Sequence, residues 1–374
     1  MEKFEWKDAI KTNIRMLKLA GLWPPGDDSY KLNLYTLYAT ISLTLFVIIF
    51  NLSLTLNIFT VLDDLKAIAS ILFASITLTI AVLKSYYLTR NMKLLKELMV
   101  TINSDLFQPK SPTQRELVEF TLNPWKKAYK MYNSMTMAAF CAWSVAPLTD
   151  GSIANHELPF PAWFPYNYKP SPFYEITFLY QFISMGVTSF INVNIDTLIA
   201  ALNVYVGAQC QILCDDLRTV DLSQQLRGCI KHHKAILTFA EKSNKFFNWI
   251  VFVQFFTSVL SIAMAMFQMT MDVPFTTDFF ARVFYVTAIT IQIFVYCWFG
   301  NEVTLQSGNI PSATFESNWI GKPLEVRKSL VLIILRSQKP IKMSALNLFY
   351  LSLDTFMTIM RSSYSYFAIL QQLT

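Results

Sequence analysis

Long apolar runs alternate with short charged or proline-bearing segments from one end of the chain to the other. Seven runs, over residues 33–59, 67–88, 131–148, 174–206, 246–269, 279–305 and 344–370, come close to or exceed the roughly 20 apolar residues that a helix needs to cross a bilayer. The pattern predicts an all-α membrane protein, with residues 1–374 as one domain of seven transmembrane helices. Composition agrees: 53% of residues are hydrophobic and only 15% charged, against about 25% charged in a soluble domain.

The positions of the charges give an orientation. Of 31 Lys and Arg residues, 26 fall in four segments: the N-terminus up to Lys31, Arg90–Lys130, Arg218–Lys245 and Lys322–Lys342. Basic residues collect on the cytoplasmic side. The N-terminus is therefore expected inside and, after seven crossings, the C-terminus outside. This explains the net charge of +6 without a nucleic-acid partner. It also argues against a G-protein-coupled receptor, which has the opposite orientation. No Asp-Arg-Tyr follows the third run and no Asn-Pro-x-x-Tyr lies in the seventh. A secondary transporter is disfavoured because no internal repeat is visible and the prolines lie mainly in loops.

Residues 209–245 continue in helical period past the fourth run, with Leu213, Leu217, Leu226 and Ile230 on an apolar face. With residues 307–343 they are expected to form a cytoplasmic anchor region between subunits. Asp196 sits in the fourth run beside Asn192, Asn194 and Asn203. An unpaired Asp in lipid costs about 2.5–3.5 kcal/mol, so these residues are read as facing protein or water, in an inner half built for subunit packing. Lys84, near the inner end of the second run, is expected to snorkel to the interface. Arg361 lies mid-way along the seventh, where it needs a partner or a wet cavity.

Two segments admit two readings each. Residues 3–20 place Trp6, Ile10, Ile14 and Leu17 on one helical face beside a basic stripe, suiting a helix on the inner leaflet or one packed on the bundle. The loop 150–172 carries Pro159, Pro161, Pro165, Pro170 and Pro172 among aromatics that include Phe160 and Trp163. It reads as a lid over a ligand or as an interfacial aromatic belt. Cys210, Cys214, Cys229, His232 and His233 share one segment, but their spacing matches no zinc module. No hydrolase, nucleotide-binding or metalloprotease motif occurs. No catalytic residue, metal or cofactor is expected, and the chain is not read as an enzyme.

In the last run, Asp354, Thr358, Arg361, Ser365, Ile369 and Gln372 recur at spacings of 4, 4, 3, 4 and 3, forming one mostly polar face. Such a stripe suits either a pore lining or hydrogen bonds within one subunit. One helix per chain cannot enclose a pore, so the pore reading implies an oligomer.

Several segments taken together resemble the insect odorant receptors. They are Met16–Pro24 near the start, Arg227–His233 followed by Ile236–Ala240, Gly300–Val303 with Trp319, Leu335, Gln338 and Pro340, and Ser363–Leu370 at the C-terminal signature. The resemblance implies an odorant-gated, non-selective cation channel: four subunits around a pore lined by their last helices. Most members are odorant-tuning subunits that form a heterotetramer with a shared co-receptor. Thr89–Lys130 leaves no room for the co-receptor's large insertion, so this chain resembles a tuning subunit. Gustatory receptors are the second match. The resemblance places a gate at Ile369 and Leu373 with Gln372 beside it. It also places an odorant pocket in the outer half of the second, third, fourth and sixth runs. Thr136, Ala139 and Trp143 match that pocket's positions. Phe73, Thr77, Phe182, Met185, Tyr285 and Ile289 are placed there by depth and facing. The implied ligand is a small, volatile, mostly apolar odorant held by shape, and the implied location is the plasma membrane of a sensory dendrite.

Overall fold

A computed structural model describes residues 3–26, 33–61, 65–149, 151, 153, 155–219, 222–271 and 273–372. Nearly all of it is helical. After α1 (Trp6–Ala9) and α2 (Lys11–Leu19), helix α3 (Leu34–Leu43) starts at Asn33, whose side chain accepts from the Thr36 amide at 2.8 Å. That caps a donor the first turn leaves unpaired. A π-helical stretch, Thr44–Ile49, joins α3 to α4 (Phe50–Asn57), and within it the Leu45 carbonyl accepts from the Tyr180 hydroxyl. There follow α5 (Leu65–Arg90), α6 (Met92–Ile102), α7 (Pro112–Thr149), α8 (Phe173–Thr219), α9 (Leu222–Met271), α10 (Thr277–Gly308), α11 (Ile310–Phe315), α12 (Leu324–Ser337) and α13 (Leu353–Gln372).

Four helical stretches among the described residues are long and apolar enough to cross a membrane: Leu34–Thr60, Phe173–Thr219, Gln224–Met271 and Phe279–Phe315. The other three apolar runs fall on α5, α7 and α13. At 1.5 Å per residue, α8 and α9 are about 70 Å long or more, over twice the roughly 30 Å hydrocarbon layer. They therefore extend well past a bilayer, as the helical period of residues 209–245 predicts. Helix α8 is the axis of the fold, since nearly every side chain from Ile191 to Leu217 is buried. Helices α2, α5, α7, α9 and α10 pack around it. By contrast α3, the π-helical stretch and α4 expose Leu34, Leu37, Ile41, Ile48, Leu52 and Leu56, an apolar face suited to lipid.

The N-terminal segment packs on the bundle. Trp6, Ile10, Asn13 and Leu17 are fully buried. The Tyr205 hydroxyl donates to the Trp6 carbonyl at 2.9 Å, and the Asn13 amide donates to Thr197 Oγ1 at 2.7 Å. Trp125 donates its indole N–H to the Thr197 carbonyl on the same part of α8. Lower on α8, Asp216 accepts from Gln114 and Lys110, tying the start of α7 to the axis.

Three sequence expectations are corrected. Lys84 does not snorkel, and Asp196 does not face another subunit. Both are 1% exposed, and Lys84 Nζ lies 2.6 Å from Asp196 Oδ1. A buried pair satisfies within the chain a charge that lipid would penalise. The last helix begins at Leu353, not near residue 344. Ser344–Ala345 pairs antiparallel with Phe349–Tyr350, and the two turn residues Leu346 and Asn347 have positive φ of 53° and 58°. This is the φ signature of a type I′ hairpin turn. Its residues are as apolar as the helix that follows, so apolarity alone does not separate them.

The hairpin's exit approaches α10 at Gly300. A Cβ there would lie 2.3 Å from Leu351 Cβ and 2.7 Å from the Leu351 carbonyl oxygen. Since one of these atoms is backbone, relief requires the two elements to separate. Gly300→Ala is expected to cost about 1–3 kcal/mol through overpacking. A lower thermal midpoint of the purified chain would register it, and an unchanged midpoint would show that the contact is loose.

Candidate functional site

Five helices line a cavity. Helix α7 contributes Tyr132, Thr136, Ala139, Phe140 and Trp143, which share one face at spacings of 4, 3, 1 and 3. Helix α10 contributes Tyr285, Ala288, Ile289 and Gln292; α8 contributes Met185, Ser189 and Asn192; α5 contributes Thr77 and Ile80; and α9 contributes Gln254 and Ser261. The space open to the centre of a water-sized sphere is about 80 Å³, several times the roughly 10–15 Å³ that one water needs.

The lining changes character with depth. Trp143 and Tyr132 are eleven residues apart, so they stand about 16 Å apart along α7. At the Trp143 end the wall is aromatic. The Phe160 ring stacks on Trp143 at 5.4 Å between centroids, and the Arg282 guanidinium lies 5.8 Å from the Trp143 ring centroid. At the Tyr132 end the floor is polar and rests on a buried charge. Asp196 accepts from Tyr132 at 3.0 Å, from Tyr296 and from the Gln292 side-chain amide, while Lys84 supplies the counter-charge. These five side chains come from α5, α7, α8 and α10, and each is at most 6% exposed. An acceptor-only carboxylate with an ammonium and three neutral donors is well satisfied, which is the condition for a buried charge to persist.

The proline-rich loop packs behind the aromatic wall, where Phe160 meets Trp143. Both the Phe160 amide and its carbonyl pair with the Gln181 side chain, at 3.1 and 2.9 Å, and the Trp163 amide donates to the Ser53 carbonyl at 2.9 Å. Phe160 and Ala162 are buried. No described residue of this loop lines the main cavity; Phe160 stacks behind Trp143, while Trp163 and Tyr166 are exposed, so both readings of the loop remain open.

The residues singled out by resemblance distribute as follows. Thr77, Thr136, Ala139, Trp143, Met185, Tyr285 and Ile289 all line the cavity, and Thr77 and Tyr285 hydrogen-bond each other. Phe182 does not line it. Its ring packs 4.9 Å from Phe140, which stands between it and the main space, and it borders a smaller hollow with Pro159, Phe160 and Phe178. The side chain of Phe73 lies outside the described residues. Ile369 and Gln372 are exposed on α13, and Leu373 lies outside the described residues. Sequence reasoning missed the polar floor. Gln254, Ser258 and Ser261 recur at spacings of 4 and 3 within an apolar helix, a signal that was available on α9. Tyr132 and Gln292 extend the faces already marked by Thr136 and Ile289.

A family model described as 7tm Odorant receptor matches residues 64–364. Odorant receptor Or1 of Anopheles gambiae is 25% identical over 410 aligned residues, which cover 100% of this chain and 97% of that one. Odorant receptor 46a, isoform A, of Drosophila melanogaster is 22% identical over 95% of each chain. The structure of the insect olfactory receptor OR5 from Machilis hrabei in complex with eugenol aligns with a TM-score of 0.87 over 98% of both chains at 17% identity, which shows a shared fold. With a family match that runs through most of its length, the chain belongs to the insect odorant receptor family.

Proposed function

We propose that this chain is an odorant-tuning subunit of a ligand-gated, non-selective cation channel in the plasma membrane. It binds a small volatile molecule in the cavity between α5, α7, α8, α9 and α10. In this reading seven helices cross the bilayer with the N-terminus inside, and the chain assembles with a co-receptor into a heterotetramer. The observation that carries it is the cavity between these five helices, with an aromatic wall at Phe140 and Trp143 and a few converging polar groups. The neighbouring structure from Machilis hrabei was solved with eugenol.

Helix α13 supports the channel half of the reading. Asp354, Thr358, Arg361, Ser365, Ile369 and Gln372 are all exposed in the single chain. They form a face left uncovered by the described residues, available to line a path between subunits. Exposed Phe315, Ile320, Val331, Leu332 and Leu335 offer an apolar surface for the anchor region.

The test is whole-cell recording from cells expressing the chain with and without a co-receptor, against an odorant panel. Odorant-evoked cation current only in the co-expressing cells is the expected result. Ile369→Ser should raise the unliganded current, because a hydroxyl in a narrow apolar neck favours wetting. Absence of odorant-evoked current despite normal surface expression would overturn the channel reading.

A further inference from the structure

The buried carboxylate at the cavity floor dictates how the amides above it point. An ionised carboxylate only accepts. Gln292 therefore turns its amide nitrogen to Asp196, and its carbonyl faces the other way. That carbonyl accepts from Gln254 Nε2 at 3.1 Å. The same nitrogen of Gln254 donates to Ser258 Oγ at 2.8 Å. The orientation of both amides, ordinarily a free choice, is thus fixed in series from Asp196 outward. The series ends at Gln254 Oε1. This oxygen belongs to a side chain 3% exposed that lines the cavity, and it has no hydrogen-bond partner among the described residues. Two other lining residues, Thr136 and Asn192, also present a side-chain oxygen without a partner among them. A buried acceptor left unmade bears its full desolvation penalty, and a ligand that donates to it removes that penalty.

We infer that the cavity selects ligands carrying a hydrogen-bond donor, specifically the hydroxyl of a small alcohol or phenol. The hydroxyl donates to Gln254 Oε1 while the apolar body packs toward Phe140 and Trp143. This rests on the odorant-cavity reading and narrows it: shape and dispersion hold the ligand, and one directed bond ranks it. The floor residues Asp196, Gln292 and Gln254 then act as a positioning relay, of which only Gln254 accepts the ligand's hydrogen bond.

Isomeric pairs that differ only in the donor test this. 1-Octanol and 1-methoxyheptane form one pair; 2-phenylethanol and benzyl methyl ether form the other. Binding is measured by calorimetry on the full chain in lipid nanodiscs. The alcohol is expected to bind about tenfold tighter than its ether in at least one pair, the worth of one hydrogen bond. Gln254→Met keeps the length of the side chain and lacks the carbonyl. It should bring the two affinities within about twofold. Thr136→Val, a near-isosteric loss of one neighbouring oxygen, should reduce the ratio less, and it serves if Gln254→Met does not fold. The inference is overturned if the ether binds as tightly as the alcohol to the unaltered chain, if neither alcohol binds, or if the ratio survives in a folded Gln254→Met chain. Trp143→Ala separates the two levels. If it weakens alcohol and ether alike while Gln254→Met changes nothing, the cavity reading stands and the donor inference falls. If neither substitution alters any affinity, the compounds bind elsewhere and both fall.

Discussion

Asp196→Leu should leave the chain largely unable to fold. The substitution removes one partner of a fully buried ion pair and strands the Lys84 ammonium. Breaking such a pair from one side costs about 3–5 kcal/mol, and Tyr132, Tyr296 and Gln292 lose their acceptor at the same time. That is comparable with a sizeable share of a typical domain's stability. Adding Lys84→Met should recover part of the loss, because no charge then remains buried, though three donors still lack a partner. The readouts are surface expression and the thermal midpoint of the purified chain across the four members of this double-mutant cycle. A normal midpoint for Asp196→Leu combined with failure to co-purify with a co-receptor would restore the reading of Asp196 as a subunit contact.

Trp143→Ala carries the largest expected effect on response. The indole forms the aromatic wall of the cavity and, on the other side, borders the small hollow lined by Phe160, Phe178 and Phe182. Truncation removes the wall's main apolar contact and joins the two spaces. A buried aromatic contact is worth a few kcal/mol at most, and about 1.4 kcal/mol is tenfold. The odorant concentration response should move to higher concentration by about one to two decades. The joined space should at the same time admit bulkier ligands than the unaltered chain accepts. An unchanged concentration response would place the ligand elsewhere.

Helical periodicity made much of this site legible. Thr136, Ala139 and Trp143 share a face because three and four residues make one turn, and the family resemblance identified which face. What lay out of reach was pairing across the chain. Nothing local in Lys84 or Asp196 says that residues 112 apart in sequence meet; each alone reads as a charge in search of water or another subunit. Gln254 escaped for a different reason. A glutamine in an apolar helix reads equally as a bond to a neighbouring helix, and here it makes such a bond with its nitrogen while its oxygen has no partner among the described residues. The hairpin at 344–350 escaped because its alternating contacts are written in the same apolar letters as a helix, and its turn needs positive φ at Leu346, a residue that seldom adopts it.

Helix α13 buries only Ile359 and Ser363 of its own side chains, and its contacts are with α9 and α10. Helix α8, by contrast, is enclosed along most of its length. In mechanical terms the chain is stiff at its axis and compliant at its end. An element with few buried contacts shifts at small energetic cost. The free energy available from filling a cavity, a few kcal/mol, is therefore expected to displace α13 before α8. Strain introduced among α7, α8 and α10 will accordingly be relieved at the soft end of the molecule, through α10, which belongs to both.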